Sequence, residues 1–293
     1  GEVQQAGETN QAAAAAAAPP PTPARPAPAR SADPLGAAPG RHDVILECDE
    51  LVKEFDGVRV VDGASLAFER GRLTGIIGPN GAGKSTVLAM LAGTLPPTSG
   101  RIVFKGQDVT ALPAYRRARL GLVRTFQLAS EFKRLTVLEN LVSAIPGQRG
   151  ESFLGAVRGR RYWGAQEADA IERAQAMLAR FGLLGLADQY AGALSGGQRR
   201  LVEIMRALMA EPDVLLLDEP MAGVHPRLAH EIGGRLVQLC EQGTTVVMVE
   251  HELSIMDEFC DPVYVLAEGK VLAAGAMAAL RAQEEVVEAY LVG

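Results

Sequence analysis

The stretch Gly78-Pro79-Asn80-Gly81-Ala82-Gly83-Lys84-Ser85-Thr86 decides how this chain is read. It satisfies G-x-x-x-x-G-K-[ST], a pattern whose glycines let backbone N–H groups converge on phosphate oxygens where side chains would block the approach. The residues before it, Arg72–Ile77, read as a strand, and those after it, Ser85–Leu91, as a helix. That context is what the chemistry needs, because a helix N-terminus adds partial positive charge at the phosphate. Gly78, Asn80, Gly81, Gly83, Lys84, Ser85 and Thr86 are therefore the candidate nucleotide-binding residues. Lys84 would reach the β- and γ-phosphates, and the Ser85 hydroxyl can ligate Mg²⁺.

Two further motifs lie downstream. Val214-Leu215-Leu216-Leu217-Asp218-Glu219-Pro220 is an apolar strand ending in two carboxylates. Such a strand delivers Asp218 to a metal at the carboxyl edge of a parallel sheet, where α/β ligand sites lie. Glu219 can then accept a proton from water attacking the γ-phosphate. Leu194-Ser195-Gly196-Gly197-Gln198 precedes the cleanest helical pattern of the chain, in which Leu201, Ile204, Met205, Leu208 and Met209 share one face. Ser195 is a helix N-cap, and the exposed helix end can grip an anion. One nucleotide does not need two phosphate-binding helix ends in one chain, whereas two nucleotides shared across a head-to-tail dimer do.

P-loop, LSGGQ and an apolar strand ending in Asp-Glu, in that order, resemble the ATP-binding subunit of an ABC transporter, and the likeness spans residues 44–293. The resemblance implies a fold, an α/β P-loop NTPase core of the ABC ATPase type with an antiparallel β-subdomain and a helical subdomain over about 112–210. It implies ATP and Mg²⁺ as ligands, with Ser85, Gln127 and Asp218 organising the metal. Lys84, Gln127, Glu219 and His251 would carry catalysis, with His251 as the γ-phosphate contact. Ser195, Gly196, Gly197 and Gln198 would cap the nucleotide of the other subunit. Phe55 matches the aromatic that stacks on adenine, and its alternative is a strand core residue. His225 stands where many members carry Asp; a tolerated substitution and a pH-sensing role are both open. Arg124-Thr125-Phe126-Gln127, Leu135–Leu141, the Asp218–Pro226 run and the terminal Glu288-Ala289-Tyr290-Leu291 are similar to the Liv-type subunits of branched-chain amino-acid importers, with related subunits for urea or short amides. The implied partners are a second ATP-binding subunit, transmembrane permease subunits and a solute-binding protein, with the chain peripheral on the cytoplasmic face of the inner membrane. Alternatives are the ATPase of an exporter or lipid-extracting system and, more remotely, a non-transport ABC ATPase.

The rest of the chain agrees with this frame. Residues 1–40 hold 14 Ala and 8 Pro with no aromatic residue, too little apolar surface to offset the entropy of ordering, and are expected to be disordered. Residues 41–293 are expected to fold. The net charge of −6 argues against non-specific nucleic-acid binding, so no nucleic-acid partner is expected. Cys48, Cys240 and Cys260 fit neither a disulfide framework nor a metal cluster. The Gly147–Ala165 stretch mixes arginines with Phe153, Tyr162 and Trp163, and reads as a loop on the helical subdomain, with contact to a membrane surface or nucleic acid as the alternative. Val44–Phe55 and Val58–Glu69 read as short antiparallel strands broken by Asp56-Gly57 and Asp62-Gly63, and Val263–Ala274 as a late hairpin.

Overall fold

Asp56 and Gly57 both take positive φ, 47° and 83°. That is the geometry of a two-residue hairpin turn. It folds strand β1 (Val44–Phe55) back onto β2 (Val58–Glu69). The computed structural model describes residues 43–125, 133–147 and 160–291. The expected tail at 1–40, Gln127 and most of the 147–165 stretch lie outside those residues. Asp62-Gly63 is not the second turn that its composition suggests. Gly63, at φ 75°, lies inside β2 where the register shifts between Leu51 and Val52, so a bulge absorbs the left-handed residue. The result is two strands of 12 residues each instead of several short ones. With β4 (Ser99–Phe104) and β5 (Gln107–Asp108) they form an antiparallel sheet in the order β2-β1-β4-β5, β3 (Leu73–Ile77) belonging to the second sheet.

The second sheet has six strands among the described residues, in the order β10-β9-β3-β8-β7-β6. Here β6 is Leu122–Arg124, β7 Val214–Asp218, β8 Thr245–Val249, β9 Val263–Ala267 and β10 Lys270–Gly275. The strands from β9 to β6 run parallel, and β10 returns antiparallel through Glu268-Gly269, again a pair with positive φ. Every residue of β3, β7 and β8 is buried, as continuous apolar runs covered on both faces require. Leu215, Leu217, Val246 and Met248 enter one core, while Val214, Leu216, Val247 and Val249 enter the other. Strand β6 falls within the 112–210 stretch yet belongs to this sheet.

The helices are α1 (Lys84–Ala92), α2 (Ala114–Arg119), α3 (Val137–Val142), α4 (Arg160–Arg180), α5 (Gly196–Leu208), α6 (Pro226–Glu241), α7 (Leu253–Phe259), α8 (Met277–Leu280) and α9 (Glu284–Leu291). The antiparallel sheet and α1 cover one face of the parallel sheet, and α4 to α7 contribute to the core on the other. The face forecast for α5 is buried as expected. Arg117, 1% exposed, ties α2 to the end of α1. It donates to the carbonyls of Met90 and Leu91, both at 2.7 Å, of Leu112 at 2.9 Å and of Thr110 at 3.0 Å. One guanidinium thus serves four carbonyls, two of them from the last turn of α1.

Candidate nucleotide site

Parallel strands put their carboxyl ends on one edge, and the register aligns those ends. Asp218 pairs with Val249, and Ile76 pairs with the same residue from the other side. The P-loop after β3, the carboxylates ending β7 and the Glu250-His251 pair after β8 therefore meet at one place. In the P-loop, Gly83 is the N-cap of α1 with φ 93° and supplies no side-chain cap, so the first-turn N–H groups face the loop. A Cβ at Gly78 would stand 2.1 Å from the carbonyl oxygen of Leu266, and one at Gly83 2.7 Å from that of Val60. These two positions admit only glycine, and the hairpin behind them fixes the loop.

Lys84 is buried and donates to the loop's own carbonyls, Gly78 at 2.8 Å and Pro79 at 2.9 Å. Burial lowers its pKa, and the charges of Glu219 and Asp218 oppose that shift. Ser85 Oγ donates to Asp218 Oδ1 at 3.2 Å. Asp218 Oδ2 accepts from Arg124 Nη2 at 2.8 Å. Glu219 Oε1 lies 2.8 Å from His251 Nε2. The sequence-predicted Lys84, Ser85, Asp218, Glu219 and His251 are thus brought together; Gln127 is outside the described residues.

Glu219 has φ 48°, a left-handed conformation that costs a non-glycine residue about 1–2 kcal/mol. Its backbone is pinned by N–H donation to the Val249 carbonyl at 2.9 Å and by acceptance at its own carbonyl from Ala222 N–H at 3.2 Å. Glu250, 4% exposed, closes the same corner. Its carboxyl accepts from Met221 N–H at 2.6 Å and from His251 N–H at 3.3 Å. Burial raises the Glu250 pKa, and these two hydrogen bonds work against the rise. Arg200, on the first turns of α5, reaches across to the carbonyls of Asp218, Glu219 and Pro220. Arg124, Glu250 and Arg200 were not singled out from the sequence as site residues. Arg200 shows only as one of several charges off the apolar face of α5, and Glu250 only as the end of a strand.

Ser195 caps α5 in a reciprocal box with Gln198, at 3.3 Å and 2.9 Å. A Cβ on Gly197 would meet Leu228 of α6 at 2.7 Å, whereas one on Gly196 meets nothing within 4 Å. Helix packing thus accounts for the second glycine, and Gly196 faces open space. Phe55 is 45% exposed at the end of β1, with Lys53 Nζ 5.0 Å from its ring centre. It is not a strand core residue. His225 caps α6, its Nδ1 accepting from Arg227 N–H at 3.3 Å. A neutral imidazole nitrogen does there what an aspartate oxygen would do.

The sequence pattern of a known family, described as ABC transporter, matches residues 61–222. The chain is 40% identical over 247 residues to the probable branched-chain amino acid transport ATP-binding protein LivG of Archaeoglobus fulgidus, covering 84% of this chain and 95% of that one. This chain belongs to the ABC transporter family. It is also 36% identical to the high-affinity branched-chain amino acid transport ATP-binding protein BraF of Pseudomonas aeruginosa, over 84% of this chain and 97% of that one. Its fold superposes on the crystal structure of a nucleotide-free ATP-binding cassette from an ABC transporter with a TM-score of 0.74 at 38% identity, covering 84% and 98% of the two chains. The ADP conformation of such a cassette gives 0.74 at 37%, covering 85% and 99%.

As an ABC cassette, the chain is an ATP-binding ATPase subunit, and its site fits the nucleotide. The glycine-only loop, the uncapped helix end and the buried Lys84 form a cradle for phosphates. For Mg²⁺, Ser85 Oγ and Asp218 Oδ1 offer two hard oxygen donors 3.2 Å apart. No group of three or more His, Cys, Asp or Glu stands ready for a metal among the described residues. No helix of the described residues is long and apolar enough to cross a membrane.

Proposed function

We propose that this cassette hydrolyses ATP to power a membrane importer of branched-chain or related amino acids. The observation that carries the ATPase chemistry is the Glu219–His251 contact beside Asp218 and Ser85, beyond the P-loop. Glu219 takes a proton from the water that attacks the γ-phosphorus; the bond to the β-γ bridging oxygen breaks, and ADP and phosphate leave. His251 orients Glu219 and contacts the γ-phosphate. Lys84 and the P-loop amides hold the phosphates, and Phe55, exposed at the strand end, stacks on adenine. Ser85, Asp218 and Gln127 would hold Mg²⁺, which would supply charge neutralisation at the phosphates. Positioning and charge stabilisation account for most of such a reaction.

The signature acts in trans. Ser195, Gly196, Gly197 and Gln198 face the nucleotide of a second ATP-binding subunit, and the open space at Gly196 supports that reading. Closure and reopening of the pair drive permease subunits that bind the chain at the cytoplasmic face of the inner membrane. A solute-binding protein delivers the amino acid. The names of relatives at 35–40% identity support the importer and its solute.

The test is purification from the native membrane with bound proteins identified by mass spectrometry, followed by uptake of labelled leucine in reconstituted vesicles. Two permeases, an amino-acid-binding protein and ATP-dependent uptake are expected. An extracting permease with no solute-binding protein would move the cassette to an export system.

A further inference from the structure

We propose that Arg200 is a positioning residue for ATP hydrolysis, holding Glu219 in its left-handed conformation from the helix that carries the signature motif. The proposal rests on the reading of Glu219 as general base.

The geometry is specific. Arg200 Nη2 donates to the Glu219 carbonyl at 2.5 Å and to the Asp218 carbonyl at 3.2 Å, and Nε donates to the Pro220 carbonyl at 3.2 Å. Three consecutive carbonyls thus fall to one guanidinium, whose remaining nitrogen, Nη1, is anchored by Glu203 at 2.7 Å. Both side chains of that ion pair are largely shielded, at 16% and 9% exposure. A planar fork with several donors in fixed directions can serve three acceptors at once; an ammonium on a flexible stem cannot.

What the fork holds is a strained point. Glu219 is a non-glycine residue at φ 48°, and such conformations persist only where surroundings over-determine them. The Val249 carbonyl and Ala222 N–H hold the backbone from the β8 side and from the following turn. Arg200 holds it from α5, so any rotation of Glu219 toward ordinary φ moves its carbonyl off Nη2. The carboxylate, swung by the same rotation, leaves His251.

The placement also links two motifs. Arg200 sits about one turn into α5, the helix whose N-terminus is the Ser195–Gln198 capping box. A shift of α5 that follows a partner at Ser195 is carried through one side chain to the backbone of Glu219. Within one chain, the guanidinium is thus a direct bridge from signature to base.

The test compares ATP turnover, nucleotide Kd and Tm of the full chain with those of Arg200→Lys, Arg200→Gln, Glu219→Gln and the Arg200→Lys/Glu219→Gln double variant. For Arg200→Lys, kcat is expected to fall by between about 10-fold and 10²-fold, as a misplaced reacting group implies, with KM and nucleotide Kd within about twofold. In the Glu219→Gln background Arg200→Lys should subtract nothing further, because the group it positions is gone. Full kcat in both Arg200 variants alongside an inactive Glu219→Gln overturns the proposal. So does a joint fall of kcat, nucleotide affinity and Tm in both, which marks a merely structural arginine. Retained turnover in Glu219→Gln shows instead that the base reading itself is wrong, whatever the Arg200 variants do.

Discussion

Arg124 Nη2 lies 2.8 Å from Asp218 Oδ2, while Ser85 Oγ takes the other oxygen of the same carboxylate at 3.2 Å. Both members of the ion pair are mostly buried, at 18% and 11% exposure. The carboxylate proposed for Mg²⁺ is therefore also the counter-ion of a guanidinium, and a bound Mg²⁺ would compete with Arg124 for it. A charge-assisted hydrogen bond contributes about 1.5–3 kcal/mol, and about 1.4 kcal/mol is tenfold in affinity. Arg124→Ala should lower the Mg²⁺ concentration that half-saturates MgATP binding by about threefold to tenfold, since part of that energy returns to the metal. Titration of nucleotide binding with Mg²⁺ checks it. An unchanged or higher Mg²⁺ requirement sets the competition aside.

The Glu219–His251 contact at 2.8 Å predicts a pair that acts as a unit. Glu219→Gln should cut turnover by about 10²–10⁴-fold, the usual contribution of a general base, while ATP binding and ATP-dependent dimerisation persist. Adding His251→Ala should cost little more, because residues working on one proton are not additive. Single-turnover hydrolysis and size-exclusion chromatography with ATP make the measurement. Normal turnover in Glu219→Gln removes it from the base role.

Much of this architecture is legible in the residues, and what is not has a physical reason. The P-loop, the β7 run and the signature are local patterns whose residue types follow from the backbone they need. The apolar face of α5 is likewise a matter of period. Asp62-Gly63 misleads because a left-handed glycine serves a bulge as well as a turn, and only pairing with Leu51 and Val52 decides between them. Arg200, Arg124 and Glu250 are hidden for a different reason. Each acts on a group 18 to 94 positions away or on backbone amides, and no local spacing marks such a partner. Arg117 is hidden too, since in sequence it is one arginine of three in Arg116–Arg119, yet it alone is buried among them.

Arg117 yields the clearest stability prediction. Its guanidinium is pushed down to about 10 by burial, and its donors satisfy four carbonyls. Arg117→Met keeps much of the apolar stem but leaves the carbonyls of Met90, Leu91, Leu112 and Thr110 without that donor. Leaving a buried acceptor without its partner costs about 1–3 kcal/mol for each such group. In a chain of this size each kcal/mol lowers Tm by about 2–4 °C. Calorimetry of the variant should show that drop with the nucleotide site still able to bind. A Tm within one such increment of the wild type would contradict the assigned role.

Phe55 separates stability from binding. At 45% exposure on the end of β1 it contributes little to either core, so Phe55→Ala should leave Tm nearly unchanged. Loss of a stacking platform costs about 1–3 kcal/mol per base, or roughly 5-fold to 150-fold in ATP affinity. Adenosine nucleotides titrated against both proteins provide the check. Equal affinities would leave Phe55 as an exposed residue with no part in adenine binding.

Glu250 gives the pH dependence. Its pKa is raised by burial, so the folded chain holds a proton there at pH values where the unfolded chain has lost it. The folded state then binds more protons than the unfolded state, and stability falls as pH rises. The window opens at the ordinary glutamate value of about 4.3 and closes at the raised folded value, above which the loss is constant. Glu250→Gln cannot titrate and should lack this falling component, although it loses one of the two amide contacts to Met221 and His251. The stability of the wild type minus that of the variant, from denaturant midpoints taken at steps upward from pH 4, should therefore decline with pH and then level. Parallel curves would mean that burial leaves the carboxyl unshifted. A difference that grows with pH would mean that its two amide hydrogen bonds outweigh burial, and the carboxylate would then be a net stabiliser of the corner that holds Glu219.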